Sequence, residues 1–372
     1  MPQFLEPALQ VLAGIGLLFG GGELFVQGSV ALALIFGIPE LVIGLTVVAL
    51  GTCAPELFVS VSSVLKGSDA LAVSNVVGSN IFNVMVVLGS SALVLPLRVE
   101  SRLVRRDVPL LLAVSAAVWG MASAGRVTWQ AGVALLIALV INSVWEIRTA
   151  REEPDGMVEA EPPINSETAN GGWIKACIRL LIGILLLTVG SNQLVKGASD
   201  AASLLGVSET VIGLTIVSAG TSMPELFTSL VAALRGRTDL AIGNVVGSSL
   251  LNQLLVLSSC ALISGGAGLQ VDRLIIERDL PVMVLTTLAC MPIFWTRGRI
   301  SRLEGGILVG LYVFYVIDQV LPRTLPTWQD GFRLTMLCIV LPIVLVMIVL
   351  QALLYWRQLR RERITQDRKS VV

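Results

Sequence analysis

The sequence predicts an all-α polytopic membrane protein made of two inverted-topology five-helix repeats followed by an extra C-terminal transmembrane helix. Three observations lead to this fold class. The chain of 372 residues is 55% hydrophobic and only 14% charged, and its mean hydropathy of +0.84 exceeds that of ordinary soluble domains. It contains a series of long apolar runs. Its second half also repeats part of its first half.

The eleven apolar runs each reach about 20 residues, the length that a helix needs to cross the hydrocarbon core of a bilayer. They lie at residues 8–34, 40–65, 71–95, 105–124, 127–147, 173–203, 209–234, 240–264, 276–295, 302–321 and 333–356. The N-terminal segment MPQFLEP has no basic residue, so we expect the first span to be retained rather than cleaved as a signal peptide.

The distribution of Lys and Arg residues predicts the orientation of these spans. Counted over alternate loops, most basic residues fall on one side, which also holds the tail after Trp356. Basic loops stay on the cytoplasmic side, so we expect the N-terminus outside and the C-terminus in the cytoplasm. Because the sequence shows no targeting signal, the expected location is a plasma membrane, as in a bacterial inner membrane.

An internal repeat relates the two halves of the chain. Residues 37–83 align without a gap with residues 206–252, and more than half of the aligned positions are identical. Each half holds five spans, and an odd number makes the second copy enter the membrane from the opposite face, as in many secondary transporters. The predicted domains are a first repeat at 1–150, a cytoplasmic linker at 151–172, a second repeat at 173–321, and an extra helix with a basic tail at 322–372.

The motif GTCAPELF recurs in the second half as GTSMPELF. Pro55 and Pro224 have no backbone N–H, so each opens its helix and is expected to leave carbonyl groups near Gly51 and Gly220 without a partner. Glu56 and Glu225 follow directly. An isolated carboxylate at the bilayer centre costs at least about 3 kcal/mol, so both side chains are expected to face the protein interior and hold a partner. Two carboxylates beside free carbonyls predict a cation site.

Further oxygen donors surround the two motifs in the sequence. Thr52 and Thr221 lie one helical turn before the glutamates, and Ser222 is adjacent. The next helix of each half carries a polar stripe at four-residue spacing: Asn75, Ser79 and Asn83, then Asn244, Ser248 and Asn252. Hard oxygen donors are the ligands that Ca²⁺ and Na⁺ prefer. The chain has no histidine, which argues against zinc or nickel chemistry and against a histidine proton relay.

Some polar and small residues near these motifs have a simpler structural interpretation. Asn75 and Asn244 are as consistent with interhelical hydrogen bonding as with ion contact. We interpret Cys53 as a small packing residue rather than a soft-metal ligand. Glu40 and Glu209 also recur, but they begin their spans, so we expect them to cap helices.

The motif regions GTCAPE with NVVGSNIFN, and GTSMPE with NVVGSSLLN, resemble the two alpha-repeats of the cation/calcium exchanger superfamily, most closely its prokaryotic sodium/calcium exchanger branch. The resemblance covers a ten-helix core at about residues 8–321 and implies two inverted five-helix repeats that move Ca²⁺ outward in exchange for Na⁺. It implies side-chain ligands at Glu56, Glu225, Ser222, Ser79, Asn83 and Ser248. It also implies ligation by backbone and hydroxyl oxygens at Thr52 and Thr221, and by backbone carbonyls at Ala49 and Ser218.

The sequence departs from the family pattern at three positions. Cys53 stands where the family commonly has serine, Ser218 where alanine is usual, and Asn252 where many members have an aspartate. We retain Asn252 as an oxygen ligand. Two ionised glutamates balance one Ca²⁺ or two Na⁺, so a third Na⁺ would leave one uncompensated positive charge. The family also moves the first helix of each half, and we expect these helices to be interrupted at Gly20–Gly22 and at Gly190.

The leading hypothesis is a secondary antiporter that exchanges Ca²⁺ for Na⁺ through a midplane site with two glutamates. The alternative is a H⁺/Ca²⁺ antiporter on the same fold, since a buried carboxylate can exchange a cation for a proton. A cation channel and an intramembrane enzyme fit less well, because an inverted repeat is typical of transporters and no HExxH or GxGD motif is present.

The expected partners are the transported ions and the lipid bilayer. We expect no cofactor beyond the transported Ca²⁺ and Na⁺ or H⁺. Basic residues in the tail RQLRRERITQDRK are usual next to a membrane span and do not indicate nucleic-acid binding. The oligomeric state stays open, and a monomer is expected to suffice for transport.

Overall fold

The computed structural model describes residues 4–100, 102–152, 172–295 and 298–335, together with the single positions 338, 342, 346, 349 and 353. The side chains of Glu209 and Ser218 are not among the described ones. Most of the predicted linker, most of the predicted eleventh span and the basic tail also lie outside the described residues.

The described residues are mostly helical. The first half contains α1 (Leu5–Phe36), α2a (Glu40–Thr52), α2b (Ala54–Leu65), α3 (Asp69–Val94), α4 (Val108–Ala122) and α5 (Trp129–Glu152). The second half contains α6 (Gly172–Leu204), α7a (the consecutive stretches Glu209–Ile212, Gly213–Val217 and Ser218–Gly220), α7b (Met223–Leu234), α8 (Thr238–Ile263), α9 (Leu280–Trp295) and α10 (Arg302–Thr324). A short helix, α11 (Gln329–Thr335), follows.

Six of the described helices are long and apolar enough to cross a membrane, namely α1, α3, α5, α6, α8 and α10. The pair α2a and α2b forms a seventh candidate, bent by 44° at the break between its two parts. The first ten apolar runs of the sequence each overlap one or two of the helices α1 to α10. The chain is therefore predominantly helical with several membrane-spanning helices.

Two short antiparallel sheets join the halves. Strand β1 (Leu97–Arg98) pairs with β4 (Arg299–Ile300), and β2 (Arg126–Val127) pairs with β3 (Leu269–Gln270). Strands β1 and β2 flank α4, and β3 and β4 flank α9, so the two sheets lie at opposite ends of these helices.

Turns of π-helix occur in repeat-related pairs within the described residues. They are Gly44–Val48 with Gly213–Val217, Asn83–Val87 with Asn252–Val256, and Leu103–Asp107 with Ile275–Asp279. Such turns interrupt the regular hydrogen-bond ladder and are frequent at functional sites. The second pair begins at Asn83 and Asn252, two predicted ion ligands.

Burial identifies α3 and α8 as the central helices. Within their most apolar windows 72% of α3 and 78% of α8 is buried, against 33% for α1 and α6, 17% for α5 and 11% for α10. A helix that is covered on nearly all sides can carry polar side chains only if protein groups or ions satisfy them. The polar stripes on α3 and α8 therefore lie in the protein interior.

Helices α1 and α6 pack closely through glycines. A Cβ atom on Gly14 would lie 2.6 Å from the backbone nitrogen of Leu194, and one on Gly21 would lie 2.8 Å from that of Leu187. The reciprocal glycine on α6, Gly190, would place a Cβ atom 2.9 Å from a backbone nitrogen of α1. Small residues at an interface let two helix backbones approach each other.

The expected interruption of these helices at Gly20–Gly22 and Gly190 is wrong. Both α1 and α6 run unbroken through these positions. The reason is the close approach of the two backbones: packing contacts offset the conformational entropy that glycine loses in a helix.

Two ion pairs tie the first half to the loop between α7b and α8. Arg235 donates two hydrogen bonds to Glu23 on α1, at 2.5 and 3.1 Å, and Arg237 donates one to Glu40 at 2.9 Å. Glu40 was expected to cap its helix, but no side chain caps the start of α2a. Glu40 is instead the first residue of the helix, where it pairs with an arginine from the other half. The side chain of Glu209 lies outside the described ones.

Candidate cation site

The site lies where the helix pairs α2a/α2b and α7a/α7b are broken. The first pair breaks at Cys53, and Pro55 occupies the first turn of α2b. The second pair breaks at Ser222, and Pro224 occupies the first turn of α7b. A proline at this position needs no N–H partner and has the backbone angle of a helix start, which explains why a new helix begins at each motif.

The two glutamates that follow the prolines are fully buried, each with 0% exposure. Ser222 donates a hydrogen bond from its Oγ to Glu56 Oε1 at 2.9 Å. Among the described residues, Glu56 Oε2 and both carboxylate oxygens of Glu225 have no hydrogen-bond partner. Buried carboxylate oxygens without partners are costly in a membrane unless a cation or proton neutralises them.

Hydroxyl groups from both halves surround the carboxylates. Ser79 and Thr221 face Glu56. Thr52 faces Glu225 and lies 3.3 Å from Ser248, oxygen to oxygen. Each glutamate is therefore approached by a hydroxyl group from the other half of the chain, Thr221 for Glu56 and Thr52 for Glu225.

Three more predicted ligands are buried without hydrogen-bond partners in the described part of the chain. These groups are Ser79 Oγ and the amide atoms of Asn83 and Asn252. The π turn that starts at Asn83 packs against α7b and α8, and the turn that starts at Asn252 packs against α2b. These unpaired groups offer oxygen atoms as ligands, which is what hard cations require.

Two backbone carbonyls, those of Ala49 and Ser218, are also predicted ligands. Ala49 O accepts from Cys53 N at 3.0 Å and from Thr52 Oγ1 at 3.4 Å. Ser218 begins the last stretch of α7a, and its side chain is outside the described ones. Within the described residues, no three His, Cys, Asp or Glu groups converge as a metal cluster, so a cation here would depend largely on hydroxyl, amide and carbonyl oxygens.

Asn75 occupies one of two equivalent positions in the site. Its Nδ2 atom donates to Ser60 Oγ at 2.9 Å and to the Glu56 carbonyl at 3.4 Å. Its Oδ1 atom accepts from Thr221 Oγ1 at 3.2 Å, across the two halves.

Asn244 repeats these three bonds with the same lengths. It donates to Ser229 Oγ at 2.9 Å and to the Glu225 carbonyl at 3.4 Å, and it accepts from Thr52 Oγ1 at 3.2 Å. Both amides thus make interhelical bonds, the first of the two roles left open by the sequence, while ion contact by their oxygens stays a prediction. They hold the threonines and the glutamate backbones in place.

Ser191 on α6 is a site neighbour that the sequence did not predict. Its Oγ donates to the Gly220 carbonyl at 2.5 Å. The sequence had suggested a free carbonyl at Gly220, and this carbonyl is instead paired. The repeat partner of Ser191 is Gly22, so the internal repeat carried no signal for this contact.

The sequence of this chain matches the family described as sodium/calcium exchanger protein over residues 7–147 and 175–321, which is most of its length. The chain belongs to the sodium/calcium exchanger family. The resemblance inferred from the two motif regions is confirmed.

Two individual relatives agree with this family assignment. This exchanger is 36% identical to the putative antiporter CaxA of Alkalimonas amylolytica, over 84% of this chain and 98% of that protein. It is 33% identical to the inner membrane protein YrbG of Escherichia coli K12, over 85% of this chain and 99% of that protein.

A solved structure is similar as well. The sodium-calcium exchanger NCX_Mj, soaked with 10 mM Na⁺ and 10 mM Sr²⁺, has 29% sequence identity and a TM-score of 0.71, covering 84% of this chain and 98% of that one. Family membership and the apolar helices make this exchanger a multi-pass membrane transporter and not an enzyme.

Proposed function

We propose that this exchanger is a secondary antiporter that moves Ca²⁺ in exchange for Na⁺ through the site between Glu56 and Glu225. One observation carries the proposal: three buried carboxylate oxygens, on glutamates of both halves, have no hydrogen-bond partner among the described residues. In hydrocarbon such oxygens require a cation or a proton, and the hydroxyl and amide oxygens around them favour a cation. The name of the relative NCX_Mj, a sodium-calcium exchanger studied with Na⁺ and Sr²⁺, supports these ions.

The proposed architecture is two inverted five-helix repeats with an extra helix after α10. In the repeat, β1 corresponds to β3, and β2 corresponds to β4. Exchanging the two halves therefore converts the β1–β4 pair into the β3–β2 pair. Because the two sheets lie at opposite ends of α4 and α9, the operation that exchanges them reverses the helix direction. This supports a two-fold axis in the membrane plane, as in other inverted repeats.

The proposed extra helix would begin at α11. Arg333 on α11 donates to Asp318 on α10 at 2.7 and 3.2 Å. This contact attaches the start of the helix to the second repeat. We assign the extra helix no role in ion binding.

The proposed orientation places the N-terminus outside and the C-terminus in the cytoplasm, in a plasma membrane of the bacterial inner-membrane kind. The Lys and Arg distribution supports this orientation. The name of the relative YrbG, an inner membrane protein, supports the location. The remaining parts of the proposal are that a monomer suffices for transport and that the protein needs no cofactor.

Competition for the two glutamates couples the ions. Two ionised carboxylates balance one Ca²⁺ or two Na⁺, and an empty site would leave two buried charges uncompensated. The protein therefore changes its accessible side only when it is loaded with one kind of ion or the other. In this mechanism Thr52, Ser79 and Ser222 supply oxygen dipoles and the glutamates supply charge.

The flux test uses the full chain in proteoliposomes with radioactive Ca²⁺ outside. Ca²⁺ uptake is expected when Na⁺ is loaded inside and to stop when the Na⁺ gradient is removed. A pH gradient alone is expected to drive no uptake. Uptake that follows the pH gradient and ignores Na⁺ would replace the Na⁺ proposal by the H⁺/Ca²⁺ alternative, and uptake that needs no counter-ion would indicate a channel.

Replacing Asn244 by alanine is expected to weaken cation affinity. Loss of the amide removes one acceptor of Thr52 and the donor to Ser229, so both side chains are held less firmly. Groups that orient metal ligands typically contribute about 10- to 100-fold in affinity. We expect a comparable rise in the Ca²⁺ concentration for half-maximal uptake. Asn192→Ala, at an exposed position on α6, serves as control, and equal values for both variants would argue against the role given to Asn244.

Asn252→Asp tests the charge balance. The wild-type site balances two Na⁺, so Ca²⁺ exchange is expected to be electroneutral and to ignore an imposed membrane potential. A third carboxylate at position 252 allows a third Na⁺, and uptake should then respond to a potassium–valinomycin potential. Thr327→Asp adds the same charge at an exposed position between α10 and α11 and should behave as wild type. A wild-type flux that follows the potential as strongly as the variant would contradict the assigned balance.

A further inference from the structure

The two helix breaks differ in one side chain. At the second break Ser222 donates to Glu56 at 2.9 Å. At the first break the equivalent residue is Cys53, whose thiol lies 3.6 Å from the Ser248 carbonyl and faces Glu225. Cys53 is 1% exposed. The hydroxyl that serves one glutamate is therefore replaced by sulfur beside the other.

The unpaired oxygens of Glu225 indicate that a ligand binds beside Cys53. Both of its carboxylate oxygens are buried without a hydrogen-bond partner in the described part of the chain, whereas Glu56 has one oxygen paired. The Thr52 hydroxyl also faces Glu225, and the Ser248 carbonyl lies 3.6 Å from the thiol. This is a mixed sulfur and oxygen donor set, while the donors around Glu56 are oxygens.

We infer that Cys53, for which the sequence alone indicates only a packing role, forms with Glu225 a subsite for soft divalent cations. Cd²⁺ is the probe for this subsite and competes with Ca²⁺ there. Cd²⁺ is close to Ca²⁺ in size but is a softer ion, and sulfur ligands select soft ions. On binding, the S–H bond breaks, a Cd–S bond forms, and the thiol proton leaves to water. The inference rests on the proposed function for the way in which ions reach this buried site.

The chain offers a matched control cysteine. Cys290 on α9 is also buried, with 4% exposure. It lies on α9, outside the two helix breaks that carry the glutamates. A thiol without a carboxylate partner should hold Cd²⁺ far more weakly than Cys53.

The binding experiment titrates the purified full chain in detergent with CdCl₂ and follows the ultraviolet charge-transfer band of a thiolate–Cd²⁺ bond. We expect the band at the first equivalent in the wild type and in Cys290→Ser, and its loss in Cys53→Ser. Ser222→Cys places a second thiol beside Glu56 and should add a second equivalent. This gain keeps the test valid if Cys53→Ser does not fold.

The transport arm measures the Cd²⁺ concentration that halves Ca²⁺ uptake in proteoliposomes. Loss of a metal ligand should raise this concentration about 10-fold or more in Cys53→Ser, and Cys290→Ser should match the wild type. An unchanged band and unchanged inhibition in Cys53→Ser would overturn the inference. A Cys53-dependent band in a protein that shows no Na⁺-dependent Ca²⁺ uptake would support the subsite and refute the exchange proposal.

Discussion

Replacing Glu225 by glutamine is expected to lower Na⁺-dependent Ca²⁺ uptake at least about 100-fold. Glutamine keeps the shape of the side chain and removes its charge, so Ca²⁺ would meet one carboxylate instead of two. Both oxygens of Glu225 lack a protein partner among the described residues, whereas Glu56 shares one oxygen with Ser222. The loss should therefore be at least as large for Glu225→Gln as for Glu56→Gln.

The control for this pair of variants is Glu277→Gln. Glu277 lies in an exposed ion pair with Arg273, with 60% of its side chain accessible, and its replacement should leave uptake unchanged. Uptake is measured in proteoliposomes with equal amounts of monodisperse protein. Full uptake in either Glu225→Gln or Glu56→Gln would refute the assignment of the site.

Adding one methyl group to Gly21 is expected to destabilise the protein, although alanine is the better helix former. The new Cβ atom would lie 2.8 Å from the Leu187 backbone and 3.0 Å from the Gly183 carbonyl. Backbone atoms of a packed helix cannot move aside cheaply, and such overpacking costs about 1–3 kcal/mol. We expect a lower temperature of unfolding for Gly21→Ala, measured as loss of the monodisperse peak after heating in detergent.

Gly20→Ala is the matched control on the same helix. In the described structure nothing lies within 4 Å of a Cβ atom at this position. Helix propensity alone should then act, and it favours alanine over glycine by up to about 1 kcal/mol. The two neighbouring variants are expected to shift stability in opposite directions. Equal shifts would contradict the close packing of α1 on α6.

The internal repeat made much of the candidate site predictable. Two copies of one motif are visible without structural knowledge, and each places a proline before a glutamate. Because a charge inside an apolar span needs protein around it, the burial of Glu56 and Glu225 followed from the sequence. Ser60 and Ser229 could have been added, since each lies one helical turn after a glutamate and both recur in the repeat.

Contacts between helices were less predictable because they depend on which helix faces which. The pairing of Glu40 with Arg237 joins residues that are distant in the chain, so the sequence suggested only a helix cap for Glu40. Ser191 contacts the end of α7a, at the break before α7b, although its repeat partner is a glycine. A repeat can indicate symmetric contacts, but it carries no information about contacts made by one half alone.

The glycines of α1 show the same limitation. Gly14, Gly21 and Gly28 recur as Gly183, Gly190 and Gly197, at seven-residue spacing in both helices. This spacing indicates one face of a helix. The sequence does not show that the glycine faces of α1 and α6 pack against each other. Without that knowledge, a run of glycines suggests a helix break.

The most direct test of the account is to locate the cation. Crystals of the full chain soaked with Sr²⁺, a Ca²⁺ substitute, give an anomalous difference map. We expect a peak in direct coordination with carboxylate oxygens of both Glu56 and Glu225, and its loss after soaking with high Na⁺. A Sr²⁺ peak that contacts neither glutamate, or one that high Na⁺ leaves in place, would contradict a shared two-glutamate exchange site.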